Sequence, residues 1–272
     1  MDKVTTDDAD SSQDFLGPDS QTKLQGVTAA VVGLSGGGSH VVQQLAHVGV
    51  GRYVLVDFDI IKRSNLNRLV GGTVADVVAK RPKVEIAQRV IKTVNLHAEV
   101  LPCCSKWQEA MAVLRGCDVI FGCVDSFRER DELERFARRY LIPYIDLGMD
   151  VNPVPSGFGI GGQVVLSSAG GPCLRCLGII SDERIRREAE QYGAAGSRPQ
   201  VVWSNGVLAS LAVGLFVQLI CPWHAAPVST ACCEFDGNRH RVETNRLGHA
   251  GDLKCRHFRD DELGDQFFSR PG

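Results

Sequence analysis

The side chains best placed to do chemistry in this 272-residue chain lie within residues 31–68. An apolar run, Val31-Val32, enters the glycine turn Gly33-Leu34-Ser35-Gly36-Gly37-Gly38. A helix-like stretch covers residues 39–48, and a second apolar strand ends in an acid, Val54-Leu55-Val56-Asp57. Glycines let a backbone approach phosphate, and an acid at the end of the second strand reaches a ribose. Gly33-x-Ser35-x-x-Gly38 departs from the dinucleotide fingerprint at its second position, and Asp57 would suit NAD as well as ATP. What comes next separates the two. Ser64-Asn65-Leu66-Asn67-Arg68 places amides and a guanidinium just past the ribose acid. Hydride transfer has no use for them, whereas a triphosphate that must be held and cleaved does.

These groups need a scaffold, and the pattern of the chain predicts one. Val84, Ile86, Ala87, Val90, Ile91 and Val94 recur near the helical period, so residues 81–94 read as a helix with Pro82 in its first turn. Strands are expected over 99–101, 118–123 and 143–147, and helices over 107–114 and 127–140. The second of these helices is charged on one face, with Leu133, Phe136, Ala137 and Tyr140 on the other. Such alternation predicts an α/β fold with a Rossmann-like, doubly wound, mostly parallel sheet. Residues 152–162, with Pro153, Pro155 and four glycines, read as a crossover between halves. A strand over 163–167, a polar helix over 181–192, a mobile small-residue loop over 193–199 and a strand over 230–236 follow, with an irregular tail beyond. Ser204 or Asn205 reads as the cap of an apolar helix ending at Ile220. The expected organisation is a polar segment (1–25), a nucleotide-binding half (26–150) and a crossover, substrate-side and metal-site half of the same domain (151–272).

Composition narrows the class. A net charge of −2 gives no reason to expect nucleic acid or a membrane surface as partner. Residues 1–25 contain no apolar core of a signal peptide. The longest apolar stretch, 207–220, is broken by Ser210 and Gln218 and reads as a buried helix rather than a membrane span. Ten cysteines without a secretory signal point to a reducing compartment, where thiols bind metal, catalyse or pack. The expectation is a soluble, cytoplasmic, globular protein.

The run after Asp57 resembles the ThiF/MoeB/HesA family and the adenylation domains of ubiquitin-activating enzymes, whose hallmark is a ribose aspartate followed by Ser-Asn-Leu-x-Arg. Further blocks match in order: Arg81-Pro82-Lys83-Val84-Glu85, then Cys123-Val124-Asp125-Ser126, then Pro172-Cys173-Leu174-Arg175-Cys176-Leu177. Together they span residues 27–220. The resemblance implies ATP-dependent adenylation, in which a carboxylate attacks the α-phosphorus and pyrophosphate leaves. It implies Asp57 on the ribose, Ser64, Asn65, Arg68 and Lys83 around the phosphates, and Asp125 holding Mg²⁺, with Ser126 beside it. The amides of Gly33, Gly36, Gly37 and Gly38 would face the nucleotide. Arg68, Lys83 and Asp125 are the implied catalytic set.

Cys173 and Cys176 match the first cysteine pair of a structural zinc site in the family. Cys255-Arg256-His257 stands where a second pair usually lies, so Zn²⁺ on Cys173, Cys176, Cys255 and His257 is implied. In the alternative, His257 is solvated and another residue completes the site, or the metal has been lost. The chain departs from the family at Ser126, where asparagine is usual, and in having no arginine before Arg52. Many members form homodimers in which an N-terminal arginine reaches the partner's site, so a homodimer is implied by family habit alone. No cysteine occurs over 178–202, where a thioester cysteine would sit, and Cys221, Cys232 and Cys233 read as structural.

The implied partner is the C-terminus of a ubiquitin-like or sulfur-carrier protein, with a conjugating enzyme as a further partner if the chain belongs to a bacterial ubiquitin-like conjugation operon. Two other readings remain: activation of a peptide or tRNA-linked carboxylate, and a catalytically inactive subunit of a heteromeric enzyme. Inactive subunits typically lose the arginine, lysine or aspartate, all present here as Arg68, Lys83 and Asp125.

Overall fold

The computed structural model of the protein describes residues 11–192, 199–224, 231–244, 255–258 and 263–264. Among them, five strands form a parallel array: β1 (Thr28–Val32), β2 (Arg52–Val56), β3 (Glu99–Cys103), β4 (Val119–Gly122) and β5 (Tyr144–Val154). Three more extend it in antiparallel fashion: β6 (Gly157–Ser167), β7 (Ala231–Asp236) and β8 (Arg241–Thr244). The order across the sheet is β3-β2-β1-β4-β5-β6-β7-β8. Central strands β1, after its partly buried first residue Thr28, and β4 are apolar and buried, as strands covered on both faces must be. Pro102 is tolerated in β3 because that strand lies at the sheet edge.

Helices α1 (Ser20–Gly26), α2 (Gly36–His47), α4 (Lys83–Val94) and α8 (Val202–Ile220) cover one face of the sheet. On the other face lie a 3₁₀ turn (Trp107–Ala110) running into α5 (Met111–Leu114), with α6 (Phe127–Arg139) and α7 (Asp182–Tyr192). Short helix α3 (Val74–Val78) precedes α4. The strand order reverses between β1 and β4, and in open α/β sheets that switch point opens a crevice at the carboxyl ends of the strands.

The predicted α/β architecture stands, with local corrections. Residues 152–162 form no crossover. They are the tip of a long hairpin in which Val154 pairs with Gly157 and Pro153 with Phe158. β4 pairs with β5 only at residues 144–146, so the outer edge of β5 at Pro153 has no ladder bond for a proline to remove. Helix α2 starts at Gly36, inside the glycine turn, and Pro82 precedes α4 as its N-cap. Helix α8 starts at Val202 with Val201 at the N-cap, so Ser204 and Asn205 are buried in its first turn and do not cap it. Leu208, Ala209, Ala212 and Phe216 bury one face of α8, although the helix is long and apolar enough to cross a membrane by length and composition. Beyond β7, Arg241–Thr244 form β8 rather than the expected irregular chain, and the tail from 245 onward lies outside the described residues except for 255–258 and 263–264. Residues 11–26 are anchored through Leu24, which is fully buried. The expected loop over 193–199 lies outside the described residues except for Pro199.

Candidate active site

The turn after β1 fixes the geometry at the switch point. Gly33 has φ +89°, and a Cβ there would stand 2.5 Å from the Cys123 carbonyl oxygen. A Cβ on Gly38 would overlap the carbonyl of Gly33. These two glycines let β1, β4 and the start of α2 close onto one another; they are steric requirements of the turn. Gly36 and Gly37 open α2, where unpaired helix amides favour an anion.

Asp57, just past the end of β2, is nearly buried. Its Oδ2 accepts from the Leu34 amide at 2.7 Å and its Oδ1 from the Asp59 amide at 2.8 Å. Burial pushes the Asp57 carboxyl up, opposed by the Lys83 ammonium and by those two amides. Lys83 opens α4 and is also buried. Its Nζ stands 2.7 Å from Asp59 Oδ2 and 3.6 Å from Asp57 Oδ2. An isolated buried ammonium would be costly, and contact with this pair of carboxylates offsets that cost.

Asp125 follows β4 and is exposed at the cleft. Its Oδ1 accepts from Gln200 Nε2 at 3.0 Å, and among the described residues its Oδ2 has no partner. Beside it, Ser126 Oγ donates to Glu188 Oε2 at 3.0 Å. Gly33, Asp57, Lys83, Asp125 and Ser126 line a cleft of about 600 Å³ at the switch point. A smaller pocket of about 30 Å³ adjoins it, shares Cys123, Val124 and Asp125, and is bounded by Gly36, Gly37, Arg130, Gly148 and Asn205.

Ser64, Asn65 and Arg68 do not line the cleft. Asn65 is buried and turned inward, its Oδ1 accepting from the Lys62 amide at 2.9 Å. Arg68 folds back on the Ser64 carbonyl at 2.8 Å and on Asn67 Oδ1 at 3.2 Å. Gly38 lines neither pocket. Two contributors went unrecognised in the sequence. Arg130 is buried and doubly bonded to Asp146, which also accepts from the Tyr144 hydroxyl at 3.0 Å. Glu188 of α7 accepts from the Phe127 amide at 2.8 Å and so caps α6 beside Asp125. The available signal was in α6: Arg130, Glu134 and Arg138 recur at i, i+4 on the stripe that also carries Leu133 and Ala137.

On the far side of α6, Cys173, Cys176, Cys255 and His257 offer donor atoms all within 4.8 Å of one another. Cys173 Sγ lies 3.6 Å from Cys176 Sγ and 3.4 Å from His257 Nδ1, and Cys176 Sγ lies 3.3 Å from that nitrogen. Tetrahedral zinc with its usual bond lengths sets such donors about 3.4–3.8 Å apart. Cys173 Sγ also accepts the Cys176 amide at 3.4 Å. The cluster therefore fits Zn²⁺. Behind it, the Leu174 amide donates to Glu134, and Arg138 donates to the Gly171 and Pro172 carbonyls. Arg138 also stacks on Phe258, next to His257, at 5.0 Å.

Burial raises Cys221 and Cys233 and pushes Cys232 up to about 12, so they suit packing better than thiolate chemistry.

A glycine turn at the switch point, a buried acid after β2, a clamped lysine and a carboxylate open to the cleft define an α/β protein with a polar crevice at its strand ends. The ThiF family model matches residues 9–256, and the chain belongs to this family. The SAMP-activating enzyme E1 of Haloferax volcanii is 33% identical over 166 residues, covering 60% of this chain and 58% of that protein. The molybdopterin-synthase adenylyltransferase of Escherichia coli K12 is 28% identical over 169 residues, covering 61% and 64%. The chain spans about half the length of the curated relatives it matches. Among solved structures, E. coli MccB with ATP shares the fold with a TM-score of 0.69 at 21% identity, over 89% of this chain and 72% of that one.

Proposed function

We propose that the chain is an ATP-dependent adenylyltransferase that activates the C-terminal carboxylate of a ubiquitin-like or sulfur-carrier protein. The observation that carries this reading is the meeting of two pockets at Asp125: a cleft of nucleotide size and a narrow, glycine-lined slot. A slot of about 30 Å³ has room for little more than a terminal carboxylate and none for a bulky side chain. Membership of the family and the names of the relatives, a SAMP-activating enzyme and a molybdopterin-synthase adenylyltransferase, support the same reaction.

In this reading ATP lies in the cleft with its ribose on Asp57. The substrate carboxylate enters through the slot and its oxygen attacks the α-phosphorus. The bond to the α–β bridging oxygen breaks, that oxygen keeps the electron pair, and pyrophosphate departs. The acyl-adenylate remains. Lys83 has three N–H donors, so its contact with Asp59 leaves others for a phosphate. The amides opening α2 face the same charge.

The cleft lining supports a need for more positive charge. Acids Asp57, Asp59, Asp125, Glu129 and Glu188 outnumber the bases Lys83, Lys106 and Arg128. Asp125, with one oxygen open, is the residue that would hold Mg²⁺, which would neutralise charge on the α-phosphate. The resemblance implies a homodimer, but no arginine precedes Arg52, so a second copy does not bring the family's N-terminal arginine to this cleft. The Cys173, Cys176, Cys255 and His257 cluster is assigned to structural Zn²⁺.

ATP–pyrophosphate exchange tests the proposal. Exchange is expected only with a carrier protein bearing its terminal glycine. Exchange with a free peptide, or with a carrier whose terminal glycine is replaced by a bulky residue, would point instead to another carboxylate substrate. Absence of exchange with every carrier, together with retained ATP binding, would identify an inactive subunit.

A further inference from the structure

One wall of the cleft belongs to neither β-strand ends nor the lysine-bearing helix. Ile185, Glu188 and Ala189 of α7 form it. Its position is held from two directions. At its start, the chain leaves Cys176 through buried Leu177, Ile179 and Ile180. Their amides bond back to the carbonyls of Cys173 and Leu174 at 2.9–3.3 Å. Arg175, between the two cysteines, donates to Asp131 of α6 at 2.6 and 3.0 Å and to Asp182 of α7 at 2.7 Å. Further along, buried Glu188 caps the first turn of α6 through Ser126 Oγ and the Phe127 amide, next to Asp125.

We propose that Arg175 and Glu188 are positioning residues through which the metal-loaded Cys₃His knuckle holds α7 as a wall of the nucleotide cleft, so that losing the metal weakens nucleotide binding. The physical basis is a short mechanical path. A bound zinc fixes the Cys173–Cys176 turn against Cys255 and His257, and structural zinc supplies folding energy directly. Arg175 sits inside that turn, so its fork can reach Asp131 and Asp182 only while the turn holds its shape. The Asp182 side chain is 83% exposed, and an ion pair of that kind is weak by itself. Helix α7 therefore depends on the turn at one end and on the Glu188 cap at the other. A carboxylate at a helix N-terminus satisfies an orphan amide and meets the favourable end of the dipole.

The nucleotide arm of this inference rests on the ATP reading; its structural arm does not. The test uses the full chain with its metal content measured, before and after chelation. Hydrogen exchange is followed in peptides covering 127–131 and 182–192, and ATP affinity is measured by calorimetry. Metal removal is expected to speed exchange in both peptides, to leave residues 28–32 protected, and to raise the Kd for ATP. Glu188→Ala is expected to expose the Phe127 amide and raise that Kd about tenfold, the equivalent of one lost cap, with metal content unchanged. Glu188→Gln keeps an acceptor and should retain most of the affinity. Arg175→Ala should reproduce faster exchange at 182–192 with the metal still bound.

If chelation unfolds the whole chain, the two metal-retaining variants decide the matter. Unchanged exchange in Arg175→Ala and Glu188→Ala would overturn the proposal, as would an unchanged ATP Kd in both. A wild-type protein that binds no ATP would overturn the adenylation reading instead, and the exchange arms would still decide the linkage.

Discussion

The two ends of α6 carry similar residues and use them in opposite ways. At its start, Asp125 keeps one oxygen without a partner among the described residues and faces a cleft of about 600 Å³. Two and three turns on, Glu134 accepts from Ser167 and Leu174, while Arg138 donates to Ser167, Gly171 and Pro172. Glu134 and Arg138 are both almost completely buried. Charges whose hydrogen-bonding capacity is filled by the protein rigidify it; a carboxylate with capacity to spare at a crevice can take a ligand. The difference lies in the surroundings rather than the residue type. Buried polar groups at the second end clamp the Cys173–Cys176 turn, and the first end is left to do chemistry.

The sharpest break of this contrast is Asp125→Ala. It removes the open carboxylate without touching the buried network. ATP–pyrophosphate exchange should fall by about 10³-fold, in the range seen when a charge-stabilising group is lost from a transition state, with the thermal midpoint nearly unchanged. Exchange that persists would show that Asp125 holds no metal. Arg130 comes next because it belongs to both ends: it lines the narrow slot and is paired with buried Asp146. Arg130→Ala leaves that carboxylate buried without a counter-charge, held among the described residues only by the Tyr144 hydroxyl, and should cost about 3–5 kcal/mol by denaturant unfolding. Replacing both partners by apolar residues should recover most of the stability. If exchange also recovers, Arg130 is scaffold; if it does not, the arginine touches substrate.

The sequence made the parallel half readable because its signals are local. Apolar strands, a glycine turn and the acid Asp57 each announce themselves within a few residues, and the predicted sheet follows. The hairpin over residues 152–162 was misread because Pro153 and its neighbouring glycines look like breakers. Only the register with β6, and the unpaired outer edge beyond Asp146, show why a strand tolerates them. In the site, Asp57, Lys83 and Asp125 were legible from motif blocks. The position of Arg68 was not, since its turn toward the Ser64 carbonyl depends on a local fold that spacing cannot specify. Glu188 was invisible for a different reason. It reads as one more charge on a polar helix until tertiary contact places it on the Phe127 amide.

The closed end of α6 makes its own prediction with pH. Burial pushes Glu134 up from 4.5 to about 7, against the lowering influence of Ser167, Arg138 and the Leu174 amide. The folded chain thus holds this proton more tightly than the unfolded chain. Stability from this group is fully present below about pH 4.5 and is lost as the pH rises through about 7, after which it levels. The span corresponds to roughly 3 kcal/mol. Urea midpoints from pH 4.5 to 8 should drift downward in the wild type and lose this component in Glu134→Gln. The same drift in the variant would assign it to another group.

The smallest expected effect lies on the outer face of α7, where the contrast between filled and open charges disappears. Glu183 and Arg187 pair across one helical turn, but their side chains are 60% and 69% exposed. Water already serves both groups, so Arg187→Ala should change stability by no more than about 0.5 kcal/mol and leave ATP affinity untouched. Glu188 is the residue immediately after Arg187, yet it is buried and bonded to α6. The two variants therefore ask whether the wall of the cleft depends on α7 as a helix or on its one inward carboxylate. Loss of ATP affinity in Arg187→Ala equal to that in Glu188→Ala would favour the helix as a whole, and a silent Arg187→Ala beside a weakened Glu188→Ala isolates the cap.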